Sequence, residues 1–179
     1  LGFRLAFRQT SPSPALTDAN FQTAVNLWFD NQASAISTYG YIRDWNVTAV
    51  TNMDEAFKGR ATFNEDIGGW DVSNVINIRM MFDGAGSFNQ PIGNWDVSKV
   101  TTMYGTFQGA TSFNQPIGNW NVSAVKWSGY MFSGAAAFDQ PIGNWNVSSL
   151  ISMVGMFDGA TSFNQPIGNW NTSAVTDMR

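Results

Sequence analysis

The sequence repeats itself every 25 residues from residue 42 onward. A period of this length is typical of repeat proteins, in which one unit cannot bury its own apolar residues and neighbouring units must stack. Five full units and about half of a sixth lie between Ile42 and Arg179. The tryptophans that mark the repeat are Trp45, Trp70, Trp95, Trp120, Trp145 and Trp170, and two phenylalanines per unit keep the same spacing.

The first half of each unit predicts a short strand. In the unit at residues 92–116, Trp95 and Val97 alternate with polar residues, so both side chains point to one face of an extended segment. Ile92 lies three residues before Trp95. Repetition of the segment predicts a parallel sheet with one strand per unit.

The second half of each unit predicts a short helix. Val100, Met103 and Phe107 follow one another at steps of three and four residues, which is the spacing of a buried helical stripe. Ser98 stands where a helix N-cap belongs, and Gly109 stands where a left-handed residue ends a helix. The predicted fold class is therefore an α/β repeat solenoid, with one short parallel strand and one short helix per coil.

The regions before the repeats predict a different organisation. Residues 16–41 predict an N-terminal cap helix region, because Phe21, Val25 and Trp28 share one helical face. Residues 1–15 predict the end of a preceding domain or a linker, and residues 42–179 the solenoid itself. The stop at Arg179, inside a predicted helix, suggests that the natural protein continues or that another chain covers this end.

The composition excludes several classes of function. Cysteine and histidine are absent, which removes disulfides, Cys/His zinc sites and imidazole catalysis. The net charge is −4 without a basic run, which argues against nucleic acid as a partner. No apolar run is long enough to insert into a membrane in this segment. No cluster of acidic residues breaks the repeat, so we expect neither an enzyme nor a cofactor.

The repeat resembles a known family. The pattern I-x-x-W-x-V-S-x-V-x-x-M-x-x-x-F-x-G-A-x-x-F-N-Q-P at residues 92–116 is similar to the BspA-like leucine-rich-repeat surface proteins with "bacterial surface protein" repeats. The resemblance implies a leucine-rich-repeat-like solenoid, displayed outside the cell and used for adhesion or protein–protein contact on a larger surface protein. It implies no enzymatic activity and supplies no catalytic residues. The alternative is a structural subunit of an extracellular fibre or sheath, assembled by self-association through open solenoid ends.

One outward column of the predicted sheet is the first candidate binding face, for a protein or a glycan partner. Its Asp71 and Asp96 are neighbours and form a weak candidate for Ca²⁺. Four of its asparagines begin N-glycosylation sequons, which are either modified or simply structural. A flat, regular array also suggests an ice- or mineral-binding face, and a solvated face without a ligand is the other alternative. The column consists of Asn46, Asp71, Asp96, Asn121, Asn146 and Asn171, and the sequons begin at Asn46, Asn121, Asn146 and Asn171.

The second candidate is Trp127, which breaks the regularity of the repeat. It falls where the other units carry polar residues, and Ser128 replaces the methionine of the helical stripe beside it. Two hypotheses follow: either Trp127 points outward and anchors an interface, or it swings inward and fills the space that Ser128 leaves.

Overall fold

A computed structural model describes residues 14–179 of the chain. The interpretation of residues 1–13, the larger part of the predicted preceding segment, falls outside the described residues. Helix α1 spans Phe21–Asp30, helix α2 spans Gln32–Tyr39, and a short 3-10 helix spans Ile42–Asp44. The repeats then follow as a stack, in which we number the coils by their residues: coil 1 (42–66), coil 2 (67–91), coil 3 (92–116), coil 4 (117–141), coil 5 (142–166) and the partial coil 6 (167–179).

The predicted fold class is wrong, because coils 2 to 6 contain neither a strand nor a helix. Each coil is a succession of turns and irregular segments. Pairing between neighbours is reduced to isolated parallel bridges, and these do not lie at the predicted Trp95 strand. They join a column seven residues further along each coil, which consists of Asn52, Asn77, Thr102, Trp127, Ser152 and Asp177.

A left-handed backbone residue explains why the helical pattern does not form a helix. Gly105 lies between Met103 and Phe107 and has φ of +60°, outside the right-handed helical region. The Phe107 N–H therefore reaches the carbonyl of Met131 in the next coil, at 2.8 Å, instead of a carbonyl four residues earlier. The three-and-four spacing that predicts a helix thus belongs to a buried turn.

Backbone hydrogen bonds between coils replace the missing regular structure. Along one segment of coil 3, alternate N–H groups donate to carbonyls of coil 4 at distances of 2.7 to 2.8 Å. The same pattern joins the other coils, so buried backbone groups find partners in the next coil. The donors in coil 3 are Met103, Gly105, Phe107 and Gly109, and the acceptors in coil 4 are Trp127, Gly129, Met131 and Ser133.

The core is a set of aromatic columns, one ring per coil. The six repeat tryptophans are buried, as their phase with the phenylalanines predicts, and each of the last five donates its indole N–H to an isoleucine carbonyl of the preceding coil. For Trp120 the acceptor is Ile92, at 3.1 Å. This bond satisfies the polar end of a buried indole.

Helix α1 covers the first coil. Phe21 packs edge-on against Trp70, Trp28 against Trp45, and Phe29 against Phe57, with ring centroids 5.9 to 6.3 Å apart. Just before the helix, the carboxylate of Asp18 accepts hydrogen bonds from the N–H groups of Thr51 and Asn52. Aromatic rings and a carboxylate therefore close the end of the stack that precedes coil 1.

Candidate functional site

The predicted polar column is exposed, but its side chains are engaged in local turns. The Asn121 side-chain oxygen accepts hydrogen bonds from the Ser123 N–H at 3.2 Å and from the Ser123 hydroxyl at 2.7 Å. Such a turn orients the chain where it leaves the Trp–Val segment. The same hydrogen bond, from the backbone N–H two residues later to the side-chain oxygen, recurs at all six members of the column: Asn46, Asp71, Asp96, Asn121, Asn146 and Asn171. Binding and glycosylation at these residues stay predictions.

The two aspartates of this column show the same local role. Hydrogen bonds from the Ser73 hydroxyl and N–H lower the pKa of Asp71, against the opposing effect of the Asp96 carboxylate. The hydroxyl and N–H of Ser98 lower the pKa of Asp96. Within residues 14–179, no three acidic, cysteine or histidine side chains cluster as metal ligands. The Ca²⁺ hypothesis therefore has two exposed carboxylates and no third ligand among these residue types.

The repeat allows the coils to be compared with one another. Because all coils share the same pattern of core residues, the comparison shows which outward residues are fixed by packing. Two adjacent columns differ from coil to coil and face outward at several positions. Backbone hydrogen bonds keep them in register: the Lys126 N–H donates to Thr101, and the Ile151 N–H donates to Lys126, each at 2.8 Å. One column is Thr51, Ile76, Thr101, Lys126, Ile151 and Thr176, and the other is the bridge column that contains Trp127.

Two further variable columns have a packing explanation. Gly105, Gly129 and Gly155 lie against the side chains of Met80, Tyr104 and Tyr130 in the preceding coils. A Cβ at Gly155 would lie 2.5 Å from a ring carbon of Tyr130. Large residues are thus matched to glycine across each of these junctions, so the variation there serves the stacking of coils.

The candidate site that remains is the Trp127 strip, which we define as Ile76, Thr101, Lys126, Trp127 and Ile151. Trp127 is 44% exposed, Ile76 48% and Ile151 39%. The Lys126 ammonium lies 6.0 Å from the centre of the Trp127 ring. Because Trp127 pairs with Thr102 and Ser152 through parallel bridges, its backbone is held on both sides. The strip therefore presents apolar side chains and a cation from a fixed backbone.

The structure contradicts one of the two hypotheses for Trp127. The indole points outward, so the inward-repacking hypothesis is wrong. Ser128, which is 2% exposed, takes the core position instead and leaves an apolar cavity of about 10 Å³ lined by Met103, Val125 and Met131, among others.

Sequence reasoning missed Ile76 and Ile151 as members of the site. The signal that could have found them is an isoleucine in a column that otherwise holds threonine and lysine. Isoleucine is compatible with a buried position, so sequence alone does not show that these two side chains face solvent. Their exposure follows from the turn geometry of the coil, which places the residue after Val75 or Leu150 outside the core.

No helix in the described part of the chain is long and apolar enough to cross a bilayer, which is consistent with the expectation of no membrane insertion. A family model described as "Mycoplasma protein of unknown function, DUF285" matches residues 23–139 and residues 117–179. No curated protein and no solved structure matches the chain.

Proposed function

We propose that this chain, which belongs to the DUF285 family, is a binding module that contacts another protein through the Trp127 strip. The observation that carries the proposal is the exposure of one tryptophan among eight. The other seven are at most 9% exposed, whereas Trp127 is 44% exposed. Tryptophan is among the residues enriched in the hot spots that dominate binding at protein interfaces.

The backbone of the strip supports this role. The residues of the strip belong to coils 2 to 5, which have stacked coils on both sides, so the strip needs little ordering when a partner binds. A pre-organised surface loses less conformational entropy on association. The proposal includes no catalytic step, and it places the contact outside the cell, for which the resemblance of the repeat to surface proteins is the support.

Selection from a displayed peptide library tests the proposal. Peptides selected on the wild-type protein should bind the Trp127→Ala variant at least about tenfold more weakly, since truncation of an interface anchor costs upward of about 2 kcal/mol. Asn119→Ala is the matched control, because Asn119 is exposed on the polar side of the same coil. Both variants must keep the wild-type unfolding midpoint. Selected peptides that bind both variants equally would contradict the proposal.

A further inference from the structure

We infer that the Trp127 strip binds an extended acidic peptide segment that carries apolar side chains; this inference rests on the proposed function. The strip combines three features on one face: an exposed indole, two exposed isoleucines and a lysine between them. Each feature sets one requirement for the partner.

The lysine sets the charge of the partner. The chain is acidic overall, with 13 acidic and 9 basic side chains. Most cations of the described region are paired with acids, for example Arg79 with Asp54 and Lys58 with Glu55. Lys126 forms no ion pair within residues 14–179, and its described side-chain contact is the face of Trp127. An exposed cation without an acidic partner favours a carboxylate on the bound segment.

Lys99, in the preceding coil, does not add free positive charge to the strip. Its ammonium donates to the side-chain oxygen of Asn74 at 2.7 Å, and its charge helps to lower the pKa of the Asp71 and Asp96 carboxylates. The strip itself contains no acidic residue, so Lys126 is its one charged group. An acidic segment is complementary to this cation on a molecule that is negative overall.

The isoleucines favour a peptide over a glycan. Sugar rings stack on flat aromatic faces and take hydrogen bonds from polar neighbours, and a branched aliphatic side chain offers neither. Ile76 and Ile151 instead suit aliphatic or aromatic side chains, whose burial removes apolar surface from water. The two residues lie on either side of Lys126 in the same column, two coils before and one coil after it.

The spacing of the strip sets the length of the segment. Paired extended backbones lie about 4.8 Å apart, so the three coil steps from Ile76 to Ile151 span about 14 Å. An extended chain advances about 3.3 Å per residue, so four to six residues, roughly, cover the strip. Side chains two residues apart lie on one face of an extended segment, about 6.6 Å from each other, so an acidic residue between two apolar ones on that face lies near Lys126 while the apolar ones reach Ile76 and Ile151.

Fluorescence anisotropy with defined hexapeptides tests the inference. The probes are three labelled hexapeptides of sequence Ser-Leu-Ser-X-Ser-Leu, in which X is glutamate (the leucine–glutamate peptide), lysine (the leucine–lysine peptide) or serine, so that both leucines and X share one face of the extended chain. The leucine–glutamate peptide should bind at least tenfold more tightly than the leucine–lysine peptide, and Lys126→Glu should reverse this order. Arg43→Glu is the control, because it makes the same change in net charge at an exposed residue in coil 1. It should keep the wild-type order.

The outcomes separate the inference from the proposed function. If the leucine–glutamate peptide has no advantage, or if Lys126→Glu leaves the order unchanged, the inference is overturned. Library-selected peptides that still require Trp127 would then leave the proposed function standing. If, in addition, no library-selected peptide depends on Trp127, both fail. An order that reverses equally in Arg43→Glu would show a general charge effect and would also overturn the inference.

Discussion

At the scale of the residue, Phe107 belongs to two aromatic columns at once. Its ring stacks on Phe113 of the same coil, with centroids 3.9 Å apart. It also stacks on Phe82 and Phe132 of the neighbouring coils, at 5.6 and 5.7 Å. A buried ring between rings on three sides has few neighbours that could move to fill its place. The stability of a coil therefore depends on each ring and on those of the adjacent coils.

We expect Phe107→Ala to lower the free energy of unfolding by about 3–5 kcal/mol, because it removes buried apolar surface and leaves a cavity between stacked rings. Chemical denaturation followed by tryptophan fluorescence measures the change. Asn94→Ala, at an exposed residue of the same coil, is the control. A loss below about 1 kcal/mol would show that the phenylalanine column is not part of the core.

At Ser128, in contrast, we expect a substitution to raise stability. Four of the other five coils carry methionine at this core position, Met53, Met103, Met153 and Met178, and the serine leaves a cavity of about 10 Å³. We expect Ser128→Met to raise the free energy of unfolding by about 0.5–2 kcal/mol, as cavity-filling substitutions commonly do. Ser128→Ala removes the hydroxyl without filling the space, so it should not stabilise. A destabilised Ser128→Met protein would contradict the cavity.

At the scale of the element, local patterns predicted burial correctly and secondary structure wrongly. The Trp95–Val97 alternation and the Val100–Phe107 stripe both mark residues that are buried. Period alone does not distinguish a strand or helix from turns that bury the same residues. Glycine at 105 and 155 hints at the left-handed position, but Met80 and Tyr130 occupy it in other coils, with φ of +49° and +54°. Non-glycine residues rarely adopt this conformation, so sequence could not reveal it.

The cap before coil 1 gives a prediction at this scale. The Asp18 carboxylate accepts from the Thr51 N–H at 2.7 Å, the Thr51 hydroxyl at 2.6 Å and the Asn52 N–H at 3.0 Å. In the later coils a backbone carbonyl of the preceding coil receives the bond that Asp18 receives from Thr51. By analogy with helix caps, Asp18→Ala should cost about 1–2 kcal/mol near neutral pH.

The same contact predicts a dependence on pH. Burial opposes ionisation of Asp18, but the Thr51 and Asn52 hydrogen bonds outweigh it and lower its pKa below the ordinary 3.8. A lowered pKa in the folded state means that the stabilisation is present above about pH 3.8 and is lost as the pH falls through the folded value. The stability difference between wild type and Asp18→Ala should therefore shrink in acid. Asp30→Ala is a control at the end of α1, and an Asp18→Ala difference unchanged from neutral pH to pH 2 would contradict the cap.

At the scale of the whole molecule, the repeat predicted that the units stack, whereas for Trp127 the sequence left open whether the indole is exposed or buried, and the structure shows it exposed. The rest of the strip depends on how coils align, since Ile76, Lys126 and Ile151 meet only across coil boundaries. The junctions also differ from one another: Tyr130 covers Gly155, and Met80 covers Gly105. Coils that share the same core pattern are therefore not interchangeable. A consensus sequence of the repeat does not reveal this difference.

Deleting one coil tests this matching. Removal of residues 67–91 places Glu55 against Gly105, whereas removal of residues 92–116 places Met80 against Tyr130. Both variants lose 25 residues and keep the repeat tryptophan and two phenylalanines in every remaining full coil. We expect the second deletion to be less stable by about 1–3 kcal/mol, because two large side chains compete for the space above one backbone position. The surface ion pairs of Arg79, lost only in the first deletion, contribute less than this.

Denaturant midpoints measure the difference in stability between the two deletion variants, and Met80→Gly in the second deletion should reduce this difference. Equal stabilities, or the reverse order, would show that the coils are interchangeable.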